Sequence, residues 1–338
     1  MKRILFVDHD FHLMTRSSDF FVELLGKAFD VDKLHLPPRA ITNADDVRVP
    51  SGIDAVVVWQ LDHLAPIFLA QGYPTIIVPM FDGSNALPDL HWALLRPARF
   101  VNFSLFLHAR LRQLQCTSLL VKYFPPPKGR VASFSSLRAF LWQRRPQEGF
   151  DVGLVERLFG AGLNTLQVHD APDERQKTHR FKSRLFDVSY STWFEEKGDY
   201  LTALERANVF IAPREAEGIG HAFLEAMARG MLVVANARPT HTEYICDGLN
   251  GMLFDWRRPH LLDVDGAAEL GRRAWETVVE GHAKWMRQVP QMMQFIKDCE
   301  RPDGANLRPL IDDFSLVSKA FYENSETYER VLKTVLRR

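Results

Sequence analysis

Short stretches that are apolar throughout, separated by amphipathic stretches, constrain the fold of this chain more than any other feature of its sequence. Residues 55–59 read AVVVW and residues 75–79 read TIIVP, without alternation of apolar and polar side chains. Such strands are typical of a parallel sheet that is covered on both faces. In the first third of the chain we predict strands at residues 4–7, 31–36, 55–59, 75–79, 100–103 and 118–123. Helical stretches such as residues 17–29, 61–71 and 105–115 lie between them, so the pattern predicts a doubly wound α/β domain.

A proline-rich segment, PPPKG at residues 125–129, interrupts the alternation and is predicted to be a linker. Strands are then predicted at residues 139–143, 165–168, 187–190, 208–212, 231–235 and 252–254, with helices at 150–160, 200–207 and 222–229. Beyond Pro259 we predict only helices, at residues 267–286, 292–299 and 315–336. The sequence therefore predicts two Rossmann-like domains, residues 1–127 and 128–312. A C-terminal helix, residues 313–338, is expected to cross back to the first domain.

Composition and charge exclude several classes of protein. The chain has 338 residues, and its 42 Lys+Arg balance its 42 Asp+Glu, which argues against a nucleic-acid partner. Its three cysteines lack CxxC spacing and fit a reducing compartment, and no apolar run is long enough to span a membrane. We expect a cytoplasmic protein. A basic group formed by Arg96, Arg99, Arg110 and Arg112 is either a solvated helix face or a contact surface for anionic lipid or an acidic acceptor.

The most informative segment lies between residues 209 and 254. A predicted buried strand ends at Pro213, and a loop that contains Glu217 and two glycines leads into a helix that contains Glu225. Glycines let a ligand approach the backbone, and the N–H groups of a helix start attract anions. Carboxylates accept charge-assisted hydrogen bonds from sugar hydroxyls, so the segment suits a ligand that has both hydroxyls and phosphates. Acidic residues near a helix start are also favourable without any ligand.

The whole segment resembles the signature of GT-B glycosyltransferases, most closely the retaining family four. The matching residues are Glu217–Gly218–Ile219–Gly220, Leu224–Glu225–Ala226–Met227–Ala228–Arg229–Gly230, Val233–Val234–Ala235, Glu243–Tyr244–Ile245 and Asp247–Gly248–Leu249–Asn250–Gly251. The resemblance implies a GT-B fold, in which two Rossmann-like domains face a cleft. It also implies transfer of a sugar from a nucleotide sugar with retention of configuration.

The resemblance implies a role for each matching residue. Glu225 would bind the ribose hydroxyls and Glu217 the hydroxyls of the donor sugar. The donor would also lie close to Gly218, Ile219, Gly220, His221 and Ala222. Glu243 would either lie in a loop beneath the site or cap a helix.

The resemblance also implies basic residues for the leaving diphosphate, after the first strand of the second domain. Arg144 or Arg145 can supply the arginine, but Glu148 stands where the family has a lysine. The missing charge is expected from Arg145 or from the basic run Lys177, Arg180, Lys182 and Arg184; a plain solvated loop is an equal alternative for the run. Trp193 or Phe194 is expected to cover the nucleotide base or simply to pack.

The first domain is expected to hold the acceptor. The loop after its first strand supplies the acceptor-side candidates His9, Asp10, His12 and Arg16, and Asp82 stands near the place of a catalytic histidine in the family. With Glu217 and Arg144, Asp82 completes the predicted catalytic set. His9 and His12 lack a convincing third ligand in the sequence, so we expect no metal there and no cofactor besides the nucleotide sugar.

The sequence thus predicts a retaining glycosyltransferase that acts on a glycan or lipid-linked acceptor, in the assembly of surface polysaccharide or lipopolysaccharide. It is expected in the cytoplasm, with peripheral contact to the inner face of an anionic membrane. Two alternatives remain open. One is a non-catalytic GT-B scaffold or sugar-binding subunit, because of Glu148 and the missing motifs of the first domain. The other is another GT-B-type enzyme, a sugar-nucleotide epimerase or a phosphorylase, although no lysine stands in a recognisable pyridoxal-phosphate context.

Overall fold

The computed structural model describes residues 1–36, 47–129, 133–172, 179–302, 307, 312–314 and 316. The chain forms two compact units. The first comprises residues 1–121 together with 287–338, and the second comprises residues 122–286. The domain boundaries proposed from the sequence stay a prediction, because nearly all of residues 313–338 lie outside the described residues.

The first unit is built on a parallel sheet with the strand order β2-β1-β3-β4-β5-β6. Its strands are β1 Arg3–His9, β2 Asp30–Leu36, β3 Ala55–Trp59, β4 Thr75–Val78, β5 Arg99–Asn102 and β6 Thr117–Leu120. Its helices include α1 Phe11–Thr15, α2 Asp19–Gly26, α3 Ala65–Ala70, α4 Phe81–Ser84, α5 Asp89–Leu94 and α6 Leu105–Gln113. Every residue of β3 and β4 is buried, as a sheet covered on both faces requires.

The second unit repeats this architecture with the parallel order β12-β11-β10-β7-β8-β9. Its strands are β7 Arg138–Trp142, β8 Thr165–His169, β9 Asp187–Ser191, β10 Val209–Ile211, β11 Leu232–Asn236 and β12 Met252–Phe254. Its helices include α7 Val152–Phe159, α8 Lys197–Glu205 and α9 His221–Met227. Side chains from β7, β8, β10 and β11 form its core with the apolar face of α7. The two doubly wound sheets confirm the predicted fold class.

The long helix α10, Ala267–Lys297, corrects one prediction. The sequence predicted two helices on either side of Pro290, but the structure has one helix that contains it. Proline removes a single N–H and distorts one turn, which does not force a helix to end. Trp285, Met292 and Ile296, on both sides of Pro290, are buried, and this packing maintains the helical path.

The predicted C-terminal helix falls almost wholly on residues that the structure does not describe. Leu307 and Phe314, which are described, are buried in the core of the first unit. Among the described residues, no helix combines the length and the apolar character needed to cross a membrane.

Candidate functional site

The carboxyl ends of β7 and β10 define the point where the second sheet reverses its strand order. Strands β8 and β9 extend the sheet on one side of this pair, and β11 and β12 extend it on the other. Ligands of doubly wound sheets bind outside the carboxyl ends of the strands at such a point. The loop after β7 contains Arg144, Arg145 and Glu148, and the loop after β10 contains Glu217. The fold therefore brings together two segments that the sequence separates by about 70 residues, at the place where this class of sheet binds ligands.

The loop after β10 is held by hydrogen bonds at its backbone. Glu148 accepts from the Glu215 N–H at 3.1 Å, and the Asn236 side chain donates to the Glu215 carbonyl at 2.9 Å. The Thr240 hydroxyl donates to the Glu217 carbonyl at 3.2 Å. Fixed backbone groups on both sides of Glu217 limit the directions in which its side chain points. The conformation of the loop around Glu217 is thus fixed by side chains from three other segments.

Glu217 is paired with an arginine that the sequence reasoning did not single out. The Arg214 Nη1 atom lies 3.4 Å from a carboxylate oxygen of Glu217, and both side chains are at least nine-tenths buried. Burying a charge is costly unless it is paired and hydrogen-bonded, so the two residues depend on each other. The i,i+3 spacing of the two opposite charges is the sequence signal that could have suggested the pair.

The glycine-containing turn places the start of α9 next to Glu217. Gly220 has φ +85°, and a Cβ atom there would lie 1.8 Å from the Phe223 ring, so only glycine fits. Ile219, between the two glycines, is buried. His221 and Ala222 begin α9 and are half-buried. The predicted donor-binding turn thus exists as a tight, glycine-dependent connection between β10 and α9.

The charges of Glu225 and Arg144 both influence the pKa of the Tyr200 hydroxyl, so both residues lie near Tyr200. Burial is the main reason that the pKa of Tyr200 is raised; Glu225 raises it further, and Arg229 and Arg144 oppose the rise. Glu225 is half-buried on α9. The structure therefore assembles Glu225 and Arg144, two of the predicted site residues, around a buried tyrosine that sequence reasoning missed.

An aromatic cluster lies beside this region, at the carboxyl ends of β7 and β8. The His169 ring stacks on Phe194 with centroids 4.7 Å apart and meets Trp142 at 5.3 Å, and the Arg144 guanidinium lies 5.0 Å from the Trp142 ring centroid. Burial lowers the pKa of His169 to about 4, so this ring is neutral at physiological pH. Of the two aromatic residues predicted to cover a base, Phe194 joins the cluster, whereas Trp193 is 40% exposed.

Several of the basic residues predicted to neutralise the diphosphate are paired with acids or lie on a distant strand. Arg145 is bound to Glu148 at 3.1 Å, so the acid that stands in place of the family's lysine neutralises a neighbouring arginine. Lys182 is exposed, and the residues on either side of it bond to Tyr190 of β9 and Glu156 of α7. Strand β9 is three strands from β10, about 14 Å at ordinary strand spacing. Arg180 pairs with Asp170, and Lys177 lies outside the described residues.

Glu243 forms an ion pair with Lys122, 121 positions away in the sequence. Its side chain is only 3% exposed, and the Lys122 ammonium also lies 4.5 Å from the Tyr244 ring centroid. Burial lowers the pKa of Lys122, and the charge of Glu243 opposes that shift. Glu243 therefore connects the start of the second unit to the turn before Tyr244.

Replacing Glu243 by glutamine is expected to lower the free energy of unfolding by about 2 kcal/mol, the usual contribution of a hydrogen bond to a charged group. Urea unfolding followed by tryptophan fluorescence would measure the change. A matched control is Glu205→Gln, since Glu205 is 65% exposed and lies 3.9 Å from Arg229. Its effect should stay within about 0.5 kcal/mol. Equal effects of both variants would contradict a stabilising role for the Lys122 pair.

The acceptor-side candidates lie after β1 and are not equivalent. Asp10 is exposed, and the Arg16 side chain, 75% exposed, pairs with Asp19 at 2.7 Å. His12 is buried and His9 half-buried, and their ring centroids lie 3.7 Å apart. Asp82 is half-buried at the start of α4, which follows β4 in the same sheet. All these residues thus belong to loops at the carboxyl ends of strands of the first unit.

Most of the basic group of the first unit is bound within that unit. Arg96 donates to the Leu114 carbonyl, and Arg99 donates to the Phe295 carbonyl. Arg110 pairs with Asp89 at 2.7 Å and also donates to two backbone carbonyls. These arginines hold helices and loops together, a role that neither interpretation from the sequence included. Arg96 and Arg112 are exposed, and Arg99 and Arg110 are half-buried.

Comparison with known proteins supports the same reading of the two sheets. A family model of group 1 glycosyl transferases matches residues 172–263. A sucrose-phosphate synthase from Thermosynechococcus elongatus superposes with a TM-score of 0.64 at 15% identity, covering 88% of this chain and 98% of that one. The Anabaena protein HepE, in complex with UDP and glucose, superposes with a TM-score of 0.60 at 12% identity, covering 87% of this chain and 100% of that one. The lipopolysaccharide outer core galactosyltransferase WaaB superposes with a TM-score of 0.55 at 12% identity, covering 87% of this chain and 99% of that one. No curated protein sequence matches the chain.

At these identities the structural likeness establishes the fold, and the family model adds the sequence signature around Glu217 and Glu225. The chain has the GT-B fold and carries the group 1 glycosyl transferase signature in its second unit, which confirms the predicted resemblance at the level of group 1 glycosyltransferases.

Proposed function

We propose that the chain is a retaining glycosyltransferase that moves a sugar from a nucleoside-diphosphate sugar to a hydroxyl of a glycan or glycolipid. The observation that carries the proposal is the position of Glu217 and Glu225. Both lie in the segment that matches group 1 glycosyl transferases, beside the point where the second sheet reverses its strand order. The presence of UDP and glucose in the structure of HepE, a protein of the same fold, supports a nucleotide-sugar donor.

In the proposed reaction, the bond between the anomeric carbon and the diphosphate breaks, and its electron pair leaves with the diphosphate. Arg144 and backbone N–H groups near Gly220 stabilise the developing negative charge. The acceptor hydroxyl attacks from the side on which the diphosphate leaves and passes its proton to an oxygen of the departing diphosphate, so the configuration is retained. Glu217 binds hydroxyls of the donor sugar and Glu225 binds those of the ribose. Because arginine supplies the positive charge, the proposal requires no metal.

The acceptor is proposed to be a glycan or a lipid-linked sugar of a surface polysaccharide or lipopolysaccharide. The shared fold with WaaB agrees with such a role. Exposed apolar side chains on α1 and at the start of α6 also fit a lipid-bearing acceptor or the inner face of an anionic membrane: Leu13 63%, Met14 50%, Leu105 48% and Phe106 58%. Both helices follow strands of the first sheet at their carboxyl ends.

A second candidate function is a non-catalytic sugar-nucleotide-binding subunit. It is favoured by one observation: Glu148 occupies the place of the family's lysine, and its carboxylate is committed to Arg145 and the Glu215 N–H. The two candidates differ in turnover. A catalytic protein hydrolyses or transfers the sugar of its donor, whereas the subunit binds the donor and leaves it intact.

Replacing Glu225 by alanine is expected to weaken nucleotide binding by about tenfold to a hundredfold, the loss of one or two charge-assisted hydrogen bonds. Thermal shifts with UDP, GDP, ADP, CMP and their sugar conjugates would measure binding. A ligand in hundredfold excess over its Kd stabilises the wild type by about 2.7 kcal/mol.

The matched control is Glu276→Gln on α10, outside the strand ends that form the site. It should keep the full shift, whereas Glu225→Ala should lose most of it. Absence of a shift with every nucleotide in the wild type would contradict the proposed function.

A further inference from the structure

A buried carboxylate at the end of β1 accepts hydrogen bonds from three donors. Asp8 is fully buried. One of its oxygens accepts from the His9 N–H at 2.8 Å and from the His12 ring at 2.7 Å, and the other accepts from the Ser18 hydroxyl at 2.6 Å. These bonds satisfy a charge that would otherwise be costly to bury.

Asp8 fixes the orientation and the tautomer of the His12 ring. An ionised carboxylate only accepts hydrogen bonds, so the Nδ1 atom of His12 carries the hydrogen, and Nε2 of the neutral ring is an acceptor. His12 keeps 9% of its surface exposed. In the part of the chain that the structure describes, Asp8 is the only hydrogen-bond partner of the His12 side chain. The arrangement is a carboxylate–histidine dyad whose second ring nitrogen is available to a ligand.

The dyad lies at the point where the first sheet reverses its strand order. Strand β1 is flanked by β2 and β3, so the loops after β1 and β3 border the crevice in which this class of sheet binds ligands. The loop after β3 contributes Gln60, whose side-chain oxygen lies 3.3 Å from Nε2 of His9. Gln60 has φ +63°, a conformation that costs energy for any residue with a side chain and that clusters at functional sites.

His9 supports the dyad from its other side. Its ring centroid lies 3.7 Å from that of His12, and its pKa is lowered, first by burial and second by the charge that His12 can carry. The lowered pKa favours the neutral form of His9. Asp8, Ser18, His9 and Gln60 therefore hold His12 in one orientation.

We propose that Asp8 and His12 form an oriented dyad that binds a hydroxyl of the sugar acceptor through Nε2 of His12. His9, Ser18 and Gln60 are positioning residues that fix the ring. The identity of the ligand as an acceptor rests on the proposed function, whereas the capacity of the dyad to bind a sugar hydroxyl rests on the geometry of the first unit alone.

A metal ion is the main rival occupant. Ligand atoms of Asp8, His9 and His12 lie within 4.8 Å of one another, so the structure provides the third group that the sequence did not reveal. However, the Asp8 oxygens already accept three hydrogen bonds, and the 2.7 Å contact with His12 is a hydrogen-bond distance. A metal that bound the contacting atoms of Asp8 and His12 would have to replace the hydrogen bond between them, whereas a sugar hydroxyl at Nε2 of His12 leaves all three hydrogen bonds in place.

The first test needs no turnover. Long-range ¹H–¹⁵N correlation spectra of the full-length protein would report the tautomer of His12, and methyl glucoside, methyl galactoside and methyl mannoside would be titrated to about 100 mM, since single sugars bind weakly. We expect the Nδ1–H tautomer and a shift of the His12 Nε2 resonance with at least one glycoside. Asp8→Asn should remove both the preference for this tautomer and the shift of the Nε2 resonance. The Nε2–H tautomer, or the absence of a shift with all three glycosides, would overturn the proposal.

The second test uses transfer from the donor that the thermal-shift screen identifies. His12→Gln should raise the apparent KM for a methyl glycoside by about tenfold, the loss of one hydrogen bond, and leave the affinity for the nucleotide unchanged. The matched control is Glu23→Gln, which changes an exposed residue of α2 outside the predicted acceptor side. Equal KM values for His12→Gln and wild type would overturn the dyad. So would stoichiometric Zn²⁺ binding that His12→Gln abolishes. If the wild-type protein binds no nucleotide, the proposed function is refuted instead. The spectra then still test whether His12 is oriented by Asp8 and binds a glycoside.

Discussion

The Glu217→Gln protein is expected to transfer sugar at least about a hundredfold more slowly than the wild type, the usual loss when one pre-organised polar group is removed from a reacting centre. Glutamine keeps the size of the side chain and removes its charge. Hydrogen bonds from sugar hydroxyls to a carboxylate are roughly twice as strong as those to a neutral oxygen. Because the backbone on both sides of Glu217 is fixed, the lost interaction cannot be replaced by a small movement of the loop.

The measurement is kcat and KM for the donor identified by thermal shift. We expect a fall in kcat with little change in KM, since the donor sugar and not the nucleotide is affected. Glu215→Gln, two residues earlier in the same loop, is the matched control, because its side chain is 39% exposed and lies 3.7 Å from Arg238. It should keep activity within about twofold, as expected for a weak surface pair. Wild-type activity of Glu217→Gln would remove Glu217 from the donor site.

Replacing Arg214 by methionine is expected to destabilise the protein by about 3–5 kcal/mol, the effect of removing one partner from a buried ion pair. Methionine fills a similar volume, so the loss reports charge more than packing. The Glu217 carboxylate, 10% exposed, would lose the guanidinium that lies 3.4 Å away. Urea unfolding would measure the change in the free energy of unfolding.

A double-mutant cycle separates this pair from the rest of the site. The variant that carries both Arg214→Met and Glu217→Gln should be more stable than the sum of the single effects predicts, by about 1–3 kcal/mol. Arg214→Lys should fall between wild type and Arg214→Met, because lysine keeps the charge and loses the planar fork. Additive effects within about 0.5 kcal/mol would show that the two residues do not depend on each other.

Much of the fold followed from local properties of the sequence. The bounds predicted for β3 and β12 agree with the structure residue for residue, because continuous apolar runs and their flanking turn residues are visible along the chain. The connection from β10 to α9 was also predictable, since Glu217, Gly220 and Glu225 stand at the spacing of the signature that the segment resembles. Pro290 misled the prediction, because a local rule could not account for burial on both sides of it.

The pairings within the site were not visible in the sequence. Glu148 was interpreted as a departure that removes positive charge, yet the fold uses its carboxylate to hold the Glu215 N–H, 67 positions away. Lys122 and Glu243 are separated by 121 positions, and no spacing rule connects them. The place of His12 after β1 is visible in the sequence, but its hydrogen bond to Asp8, which also accepts from Ser18, depends on how the chain turns after that strand.

The sequence by itself determined the two doubly wound sheets and the position of Glu217 and Glu225 around the turn from β10 to α9, because strand burial and the strand–loop–helix signature are properties of neighbouring residues. Only the tertiary structure decided which charges are paired and which side chains surround each strand end. Those contacts join residues far apart in the chain, and their energies depend on the burial and orientation that packing imposes.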